Sequence, residues 1–220
     1  MSEALIRFRD VDFSYNGCRP VLSHCNFHLE EGRRTALIGP NGSGKTTLLH
    51  LIVGLLRPSA GTVEAFGKPR QREGDFHEVR RRVGLLFQQA DDQLFCPTVA
   101  EDVAFGPFNL GKTRSEVEQI VAETLSSLGL DGYQQRITYK LSGGEKRLVA
   151  LASVLAMRPE VLLLDEPVSG LDRQATDRLV EILGGLPQAM VVVSHDREFL
   201  GRITAGSLEL RDGQVHQAER

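Results

Sequence analysis

The sequence is poor in cysteine, has no excess of positive charge and contains no long apolar run. Cys18, Cys25 and Cys96 are odd in number and lack metal-ligand spacing, so we expect reduced thiols of a cytoplasmic protein. A net charge of −3 gives no electrostatic basis for binding nucleic acid. No segment approaches the ~18 consecutive apolar residues of a membrane span, and the first five residues lack the layout of a signal peptide.

The remaining composition is that of an ordinary soluble globular protein, with 41% hydrophobic and 25% charged residues. Its 220 residues suffice for one large α/β domain or two small ones. The six histidines form no H-x-x-x-H or similar cluster that would indicate a metal site. Function is therefore to be sought in short motifs.

The most informative stretch fits the pattern G-x-x-x-x-G-K-[ST] of a phosphate-binding loop. It consists of Gly39, Pro40, Asn41, Gly42, Ser43, Gly44, Lys45 and Thr46. Residues 35–38 before it indicate a buried strand, and residues 47–53, beginning with Thr47, indicate a helix, which is the context that the motif requires. A plain glycine-rich turn between a strand and a helix is the alternative.

The chemistry of this loop is anion binding. Glycine lets the backbone wrap closely around a phosphate, and free N–H groups at the helix start point at it. Lys45 adds a mobile positive charge for the β- and γ-phosphates, and the Thr46 hydroxyl is suited to ligate Mg²⁺. The loop therefore predicts a phosphate site with a magnesium ion beside it.

Polar side chains follow three apolar segments that read as buried strands. Continuous apolarity before Asp165 and Glu166 is typical of a strand buried on both faces of a parallel sheet. Because adjacent strand residues point opposite ways, one acid can serve Mg²⁺ and the other a water molecule. Gln88 and His195 also follow strands, at the edge where open α/β sheets bind ligands. Acids that merely end a strand, and a structural histidine, are the alternatives.

A second glycine-rich helix start lies at residues 141–145, which read Leu-Ser-Gly-Gly-Glu, before a helical run from Lys146 to Met157. It is a second candidate anion nest. Taken alone, the pattern favours an ordinary serine N-cap at Ser142 over such a nest.

The other segments predict the layout around these motifs. Residues 1–34 alternate apolar and polar residues as in an antiparallel sheet, where the Tyr15 ring is either free to stack or half-buried in a strand. Residues 68–75 are polar, and we expect them to be exposed. Residues 91–145, with a Gly/Pro/Asn stretch at 106–111 and a capping-box helix after it, indicate a helical insertion between two sheet segments.

In this order the motifs resemble those of the ATP-binding subunits of ABC transporters, over essentially the whole chain. The resemblance rests on residues 39–46 (Walker A), Gln88 (Q-loop), 141–145 (signature), 161–165 (Walker B), Glu166 (catalytic glutamate), 169–172 (D-loop), His195 (switch histidine) and Tyr15 (A-loop). Glu145 departs from the family, which usually has glutamine there. We do not expect this change to abolish phosphate contact.

The resemblance implies a single ABC nucleotide-binding domain over residues 1–220. Its fold is a P-loop NTPase (RecA-like) α/β core with an N-terminal antiparallel β-subdomain and an inserted α-helical subdomain. Residues 1–90 and 147–220 would form the core with the β-subdomain, and about 91–146 the helical signature subdomain.

The resemblance also implies that two identical or related chains pair head to tail around two ATP molecules. Thr46, Gln88 and Asp165 would then hold Mg²⁺, while Lys45, Glu166 and His195 would be catalytic, with Glu166 as the base for the attacking water. The implied ATP contacts are Tyr15, Gly39, Pro40, Asn41, Gly42, Ser43, Gly44, Lys45, Thr46, Thr47 and Gln88 of one chain and Ser142, Gly143, Gly144, Glu145 and Asp172 of the signature and D-loop.

Residues 87–111 carry a finer resemblance, to the ATPases of energy-coupling factor importers of vitamins or transition-metal ions, and their Asn-Leu-Gly stretch is most similar to the cobalt and nickel branch. It implies a peripheral protein at the cytoplasmic face of the cell membrane. Membrane subunits would contact Gln88–Phe105, with Leu94, Phe95 and Val99 as apolar anchors. Alternatively, these three side chains pack the insertion's own small core.

Other functions remain open at this point: the ATPase of another ABC transporter, a soluble non-transport ABC ATPase, or a non-hydrolysing nucleotide-binding regulator. Soluble relatives usually carry two nucleotide domains or a coiled-coil insertion, and neither fits this chain. Glu166 and His195 argue against a regulator that does not hydrolyse ATP.

Overall fold

Two sheets and seven α-helices make up the computed structural model, which describes residues 4–17 and 19–218. The strands are β1 Ala4–Phe13, β2 Leu22–Glu30, β3 Arg34–Ile38, β4 Ala60–Ala65, β5 Lys68–Arg70, β6 Val83–Leu86, β7 Val161–Asp165, β8 Ala189–Val193, β9 Gly206–Arg211 and β10 Gln214–Gln217. The helices are α1 Lys45–Ile52, α2 Glu73–Arg82, α3 Val99–Asn109, α4 Arg114–Ser127, α5 Gly143–Leu155, α6 Arg173–Gly185 and α7 Arg197–Ile203. The predictions for Cys18 and for residues 1–3 lie outside the described part.

The larger sheet has the strand order β10-β9-β3-β8-β7-β6 and is parallel except for the β9–β10 hairpin. Every residue of β7 and β8 is buried. Alternate side chains join opposite hydrophobic clusters, with Leu162 and Leu164 on the side of α3 to α7 and Leu163 on the side of α1 and the smaller sheet. The prediction of strands buried on both faces is confirmed.

The smaller sheet, β2-β1-β4-β5, confirms the predicted N-terminal antiparallel sheet. The expectation that residues 68–75 are exposed is wrong at Arg70, which lies in β5 and is only 4% exposed. Its guanidinium donates to the carbonyl oxygens of Ala65 and Asp75 and to the carboxylate of Glu78. These acceptors compensate for the cost of burying the charge. The polar composition of residues 68–75 alone does not reveal that such acceptors are present.

Between β6 and β7 the chain is mainly helical. Thr98 with Glu101, and Thr113 with Glu116, form capping boxes that begin α3 and α4. Helix α3 continues through Pro107 to Asn109, so it includes the first part of the Gly/Pro/Asn stretch at residues 106–111. At Gly106 an added Cβ would lie 2.5 Å from Cγ of Met157, so glycine permits the close approach of α3 to that residue.

The division into core and helical subdomain stays a prediction. In the part of the chain that is described, no helix combines the length and apolarity of a membrane-spanning segment.

Candidate active site

A cleft of about 700 Å³ lies at the carboxyl ends of the parallel strands β3, β7 and β8. Its lining collects side chains from distant parts of the sequence. The predicted site residues among them are Tyr15, Asn41, Gly42, Gly44, Lys45, Thr46, Thr47, Gln88, Asp165, Glu166 and His195. Gly39 and Pro40 line an adjoining cavity together with Lys45 and His195.

The loop between β3 and α1 is shaped by glycines with positive φ angles, of 148° at Gly39, 76° at Gly42 and 105° at Gly44. An added Cβ at Gly39 would lie 2.4 Å from the carbonyl oxygen of Leu210, so a larger residue does not fit there. The hydroxyl of Ser43 is buried and has no hydrogen-bond partner among the described residues. An orphaned donor in a glycine-rich loop before a helix fits a bound phosphate oxygen.

Lys45 is 9% exposed, and its Nζ donates to the carbonyl oxygens of Gly39 and Pro40, both at 2.9 Å. Burial lowers the pKa of this ammonium group, while the nearby carboxylates of Asp165 and Glu166 raise it. The cation thus lies inside the loop, among neutral acceptors and two acids. This is where the loop would present a positive charge to phosphate oxygens.

Asp165 lies at the end of β7 and is 2% exposed. Its Oδ2 accepts a hydrogen bond from the Thr46 hydroxyl at 2.6 Å. Burial raises the pKa of this carboxyl group, and the Thr46 hydrogen bond and the charges of His50 and Lys45 counteract part of that effect. A desolvated carboxylate next to a hydroxyl, with the Gln88 side chain lining the same cleft, is the oxygen-donor set that Mg²⁺ prefers.

Glu166 follows β7 with φ = +50°, a left-handed conformation that is costly for a residue with a side chain and that clusters at active sites. Its Oε1 is buried without a hydrogen-bond partner among the described residues, and Nε2 of His195 lies 3.5 Å away. The amide of His195 and the hydroxyl of Ser194 donate weakly to Oε2, at 3.4 and 3.5 Å. A carboxylate with one uncommitted oxygen can accept a proton from water.

The Tyr15 ring is 46% exposed and held by two contacts. Its hydroxyl lies 3.1 Å from Oγ1 of Thr47, and its edge packs against the Phe13 ring with centroids 4.9 Å apart. The structure therefore places the ring at the cleft in a defined orientation. Stacking on a base stays a prediction.

The signature segment does not line this cleft. Ser142 caps α5: its hydroxyl accepts from the Glu145 amide at 3.3 Å, and Glu145 accepts from the Ser142 amide at 2.8 Å. Tyr133 and Arg136 also donate to Glu145, and the hydrogen bonds from Tyr133 and Ser142 are the main reason that its pKa is lowered to about 2. The serine-cap interpretation is confirmed. A cap does not exclude an anion nest, because Ser142 remains exposed.

The D-loop adjoins this second site. An added Cβ at Gly144 would lie 3.4 Å from Cδ2 of Leu171 and 3.6 Å from the carbonyl oxygen of Gly170. Asp172 is the N-cap of α6, where its carboxylate accepts from the Ala175 amide at 2.8 Å. The predicted site residues therefore fall into two groups, one in the cleft and one around the start of α5.

Sequence reasoning missed Ser194 and the left-handed conformation of Glu166. Ser194 is 7% exposed and directly follows an apolar strand. Its position as a polar residue at the end of a buried strand could have identified it as a candidate site residue. The conformation of Glu166 has no local signal, because it accompanies a tertiary contact in which the Glu166 amide donates to the carbonyl of Val193.

The fold and the site together define an ABC-type ATPase. A model of the ABC transporter family matches residues 22–169, and the chain belongs to this family as an ATP-binding, ATP-hydrolysing subunit. A putative ABC transporter ATP-binding protein of Nitratidesulfovibrio vulgaris is 49% identical over 212 residues, 96% of this chain and 78% of that protein. The energy-coupling factor transporter ATP-binding protein EcfA of Methanothermobacter thermautotrophicus is 44% identical over 215 residues, 96% of this chain and 69% of that protein.

Solved structures agree with this assignment and confirm the fold class. CbiO1 from Clostridium perfringens, described as part of the ABC transporter complex CbiONQ, superposes with a TM-score of 0.85 at 30% identity, covering 97% of this chain and 87% of that one. A dimeric post-hydrolysis state of the ATP-binding cassette MJ0796, bound to ADP and Pi, gives 0.89 at 26% identity and covers 98% of both chains.

Proposed function

We propose that this chain is the ATPase of an importer of the energy-coupling factor class and powers uptake of a transition-metal ion, cobalt or nickel, or of a vitamin through separate membrane subunits. The EcfA relatives and the likeness to CbiO1 support the class. The choice of transported substrate rests on the resemblance of residues 87–111 alone. The observation that carries the hydrolytic role is the convergence of Lys45, the Thr46–Asp165 pair and the Glu166–His195 pair on one cleft.

In the proposed mechanism, Lys45 and the loop amides neutralise the β- and γ-phosphates of ATP. Thr46, Gln88 and Asp165 would hold Mg²⁺, which supplies further charge neutralisation when bound. Glu166 takes a proton from water as the water oxygen attacks the γ-phosphorus and the bond to the β-phosphate oxygen breaks, giving ADP and phosphate. His195 contacts the γ-phosphate, and Tyr15 stacks on adenine.

The dimeric part of the proposal concerns the second group of residues. Ser142, Gly143, Gly144, Glu145 and Asp172 would complete the site of a head-to-tail partner, either a second copy or a related chain. Two observations support this: they do not line their own chain's cleft, and the MJ0796 cassette to which the chain is similar is a dimer. The exposed Ser142 and Gly143 leave α5 with an accessible N-terminus.

The membrane-facing part of the proposal rests on an aromatic surface, which we define as Phe95 and Phe105, with exposed fractions of 66% and 48%. The Phe95 and Phe105 rings pack edge to face with centroids 4.8 Å apart. The expectation that Val99 is a surface anchor is wrong: it is 0% exposed and belongs to the core. Leu94 is partly buried against the same core, so Phe95 is the anchor that remains of the predicted three.

We further propose that this surface docks on membrane subunits within the Gln88–Phe105 region, which would hold the chain at the cytoplasmic face of the membrane. Exposed aromatic patches of this kind are typical of protein interfaces. With a net charge of −3, we expect no nucleic-acid partner.

Glu166→Gln tests the hydrolytic role, since glutamine is nearly isosteric but cannot accept the proton. We expect ATP affinity to be retained, phosphate release to fall about 10²–10⁴-fold, and an ATP-stabilised dimer to accumulate. The matched control is Glu160→Gln, which lies immediately before the same strand β7 and contacts Arg82 instead of the cleft. Wild-type turnover in Glu166→Gln would remove Glu166 from the role of base.

The transport role is tested by isolating the membrane proteins that co-purify with the chain from its native cells, co-expressing them with it and measuring uptake of cobalt, nickel and vitamins. Uptake that requires Glu166 supports the importer proposal. Stable association with membrane subunits that export, or that import another class of substrate, would assign the chain to another ABC transporter. Absence of any membrane partner would favour a soluble ABC ATPase.

A further inference from the structure

Helix α5 holds the loop that carries Gln88. Arg147 lies in this helix and is 6% exposed, and its guanidinium donates to the carbonyl oxygen of Phe87 at 2.6 Å and to that of Gln88. Two carbonyls on consecutive residues fix the backbone from which the Gln88 side chain extends.

Two more side chains tie the same loop to α5. Lys146 donates to the carboxylate of Asp91 at 2.5 Å. Gln93 donates to the carbonyl of Ala150 at 2.9 Å and to the hydroxyl of Ser153, while its Oε1 accepts from the Phe87 amide at 3.1 Å. Within the described residues, the side-chain hydrogen bonds that leave loop 87–93 all end on α5, and none ends on the phosphate loop or on α1.

The charge of Arg147 is notable because it is buried and, in the described part of the chain, forms no ion pair within 4.0 Å. Burial lowers its pKa, whereas the carboxylates of Asp165 and Glu166 raise it. A neutral donor would bind two carbonyls at a smaller desolvation cost. The guanidinium therefore does two things: it binds the two loop carbonyls, and it places a positive charge near the carboxylates of Asp165 and Glu166.

We propose that Arg147 is a positioning residue that fastens Gln88 to α5. The inference rests on the proposed function, in which Gln88 serves the chain's own ATP site and the start of α5, at Ser142, serves the partner's. Since Arg147 lies about one and a half turns from Ser142, the N-cap of the same helix, we expect Gln88 and the signature segment to move as one unit. Arg147 thus links the magnesium side of one ATP site to the signature side of the other.

The test compares Arg147→Met with Arg34→Met. Arg34 is the matched control because it also donates to two backbone carbonyls, of Gly184 and Leu186, but at the amino end of β3, away from the cleft. In the nucleotide-free chain, we expect amide hydrogen exchange in residues 87–93 to rise about tenfold in Arg147→Met and to stay unchanged in Arg34→Met.

Two nucleotide measurements complete the test. In Arg147→Met, we expect ATP affinity without Mg²⁺ to change by no more than about twofold, while the Mg²⁺ concentration for half-maximal hydrolysis rises about tenfold. Arg34→Met should lower the melting temperature without this shift. Arg147→Lys, which keeps the charge and can reach one carbonyl, should lie between wild type and Arg147→Met, and it decides the matter if Arg147→Met does not fold.

The proposal would be overturned if amide exchange in residues 87–93 were unchanged in Arg147→Met. It would also be overturned if this variant had a lower melting temperature but an unchanged Mg²⁺ requirement, since Arg147 would then only stabilise the fold. A wild-type chain that hydrolyses no ATP would instead refute the proposed function, and the exchange measurement would still report whether Arg147 anchors the loop.

Discussion

Two substitutions at Tyr15 can separate the role of its ring from the role of its hydroxyl. The ring packs against Phe13, and the hydroxyl pairs with Oγ1 of Thr47, a residue that is 5% exposed. Tyr15→Phe keeps the ring and removes the hydrogen bond, whereas Tyr15→Ala removes both. If the ring stacks on adenine, the two variants should affect different quantities.

The expected magnitudes follow from these contacts. Loss of one hydrogen bond costs about 0.5–1.5 kcal/mol of folding stability, or about 1–6 °C in melting temperature for a chain of this size. Loss of base stacking costs about 1–3 kcal/mol of binding, which is a rise of about 5–150-fold in the dissociation constant for ATP. We therefore expect Tyr15→Phe to melt lower and bind ATP within about twofold of wild type. Tyr15→Ala should bind ATP at least about fivefold more weakly.

Calorimetric titration with ATP suits this test, since the sequence contains no tryptophan to report binding by its fluorescence. GTP provides the control ligand, because stacking tolerates any base and the loss in Tyr15→Ala should be similar for both nucleotides. Equal ATP affinity in wild type and Tyr15→Ala would refute stacking. Weaker binding in Tyr15→Phe would assign the effect to the hydroxyl.

Four further predictions follow from the same geometry. Lys45→Ala should abolish tight ATP binding, because it removes the charge facing the phosphates, and unchanged affinity by calorimetry would contradict the phosphate-loop assignment. Phe95→Ser should abolish binding to the membrane partner in pull-down assays but cost only about 2 kcal/mol of stability, since the ring is 66% exposed; a larger fall in melting temperature than in Val99→Ser would favour a core role. Ser142→Arg mixed with Lys45→Ala should recover partial ATPase activity, because both defects fall in one composite site, and mixed dimers without recovery would argue against head-to-tail pairing. Glu145→Gln should destabilise the chain at pH 6 but hardly at pH 2 in urea unfolding, because the lowered pKa of Glu145 contributes stability above about pH 4.5 that is lost as the pH falls through about 2; a pH-independent difference would contradict this.

The elements that were predicted from the sequence are those set by local chemistry. The capping box at Thr113, the serine N-cap at Ser142 and the glycine-rich loop at Gly44 follow from side-chain hydrogen bonds and φ angles within a few residues. Buried strands such as residues 161–164 can also be recognised from the sequence, because a strand covered on both faces has no polar side.

The features that sequence reasoning missed depend on tertiary contacts. Val99 and Phe95 are both apolar residues in one short segment, yet one is 0% and the other 66% exposed, because α3 turns the former towards the core. Arg70 and Arg147 look like surface cations, and only the backbone carbonyls that meet them in the fold explain their burial. A single sequence shows the guanidinium donors but not which backbone carbonyls the fold will bring to them.

The adjacent acids Asp165 and Glu166 illustrate how one tertiary feature positions several predicted site residues. In the parallel pairing of β7 and β8, Asp165 lies opposite Val193, and the next amide, of Glu166, donates to the Val193 carbonyl at 2.8 Å. This register places Glu166 beside Ser194 and His195, while Asp165 remains at Thr46. A slip of one residue would turn Asp165 to the opposite face of the sheet and separate both pairs. The motifs supply the two acids, and the register of two buried strands brings the proposed magnesium ligand Asp165 and the proposed base Glu166 to one cleft.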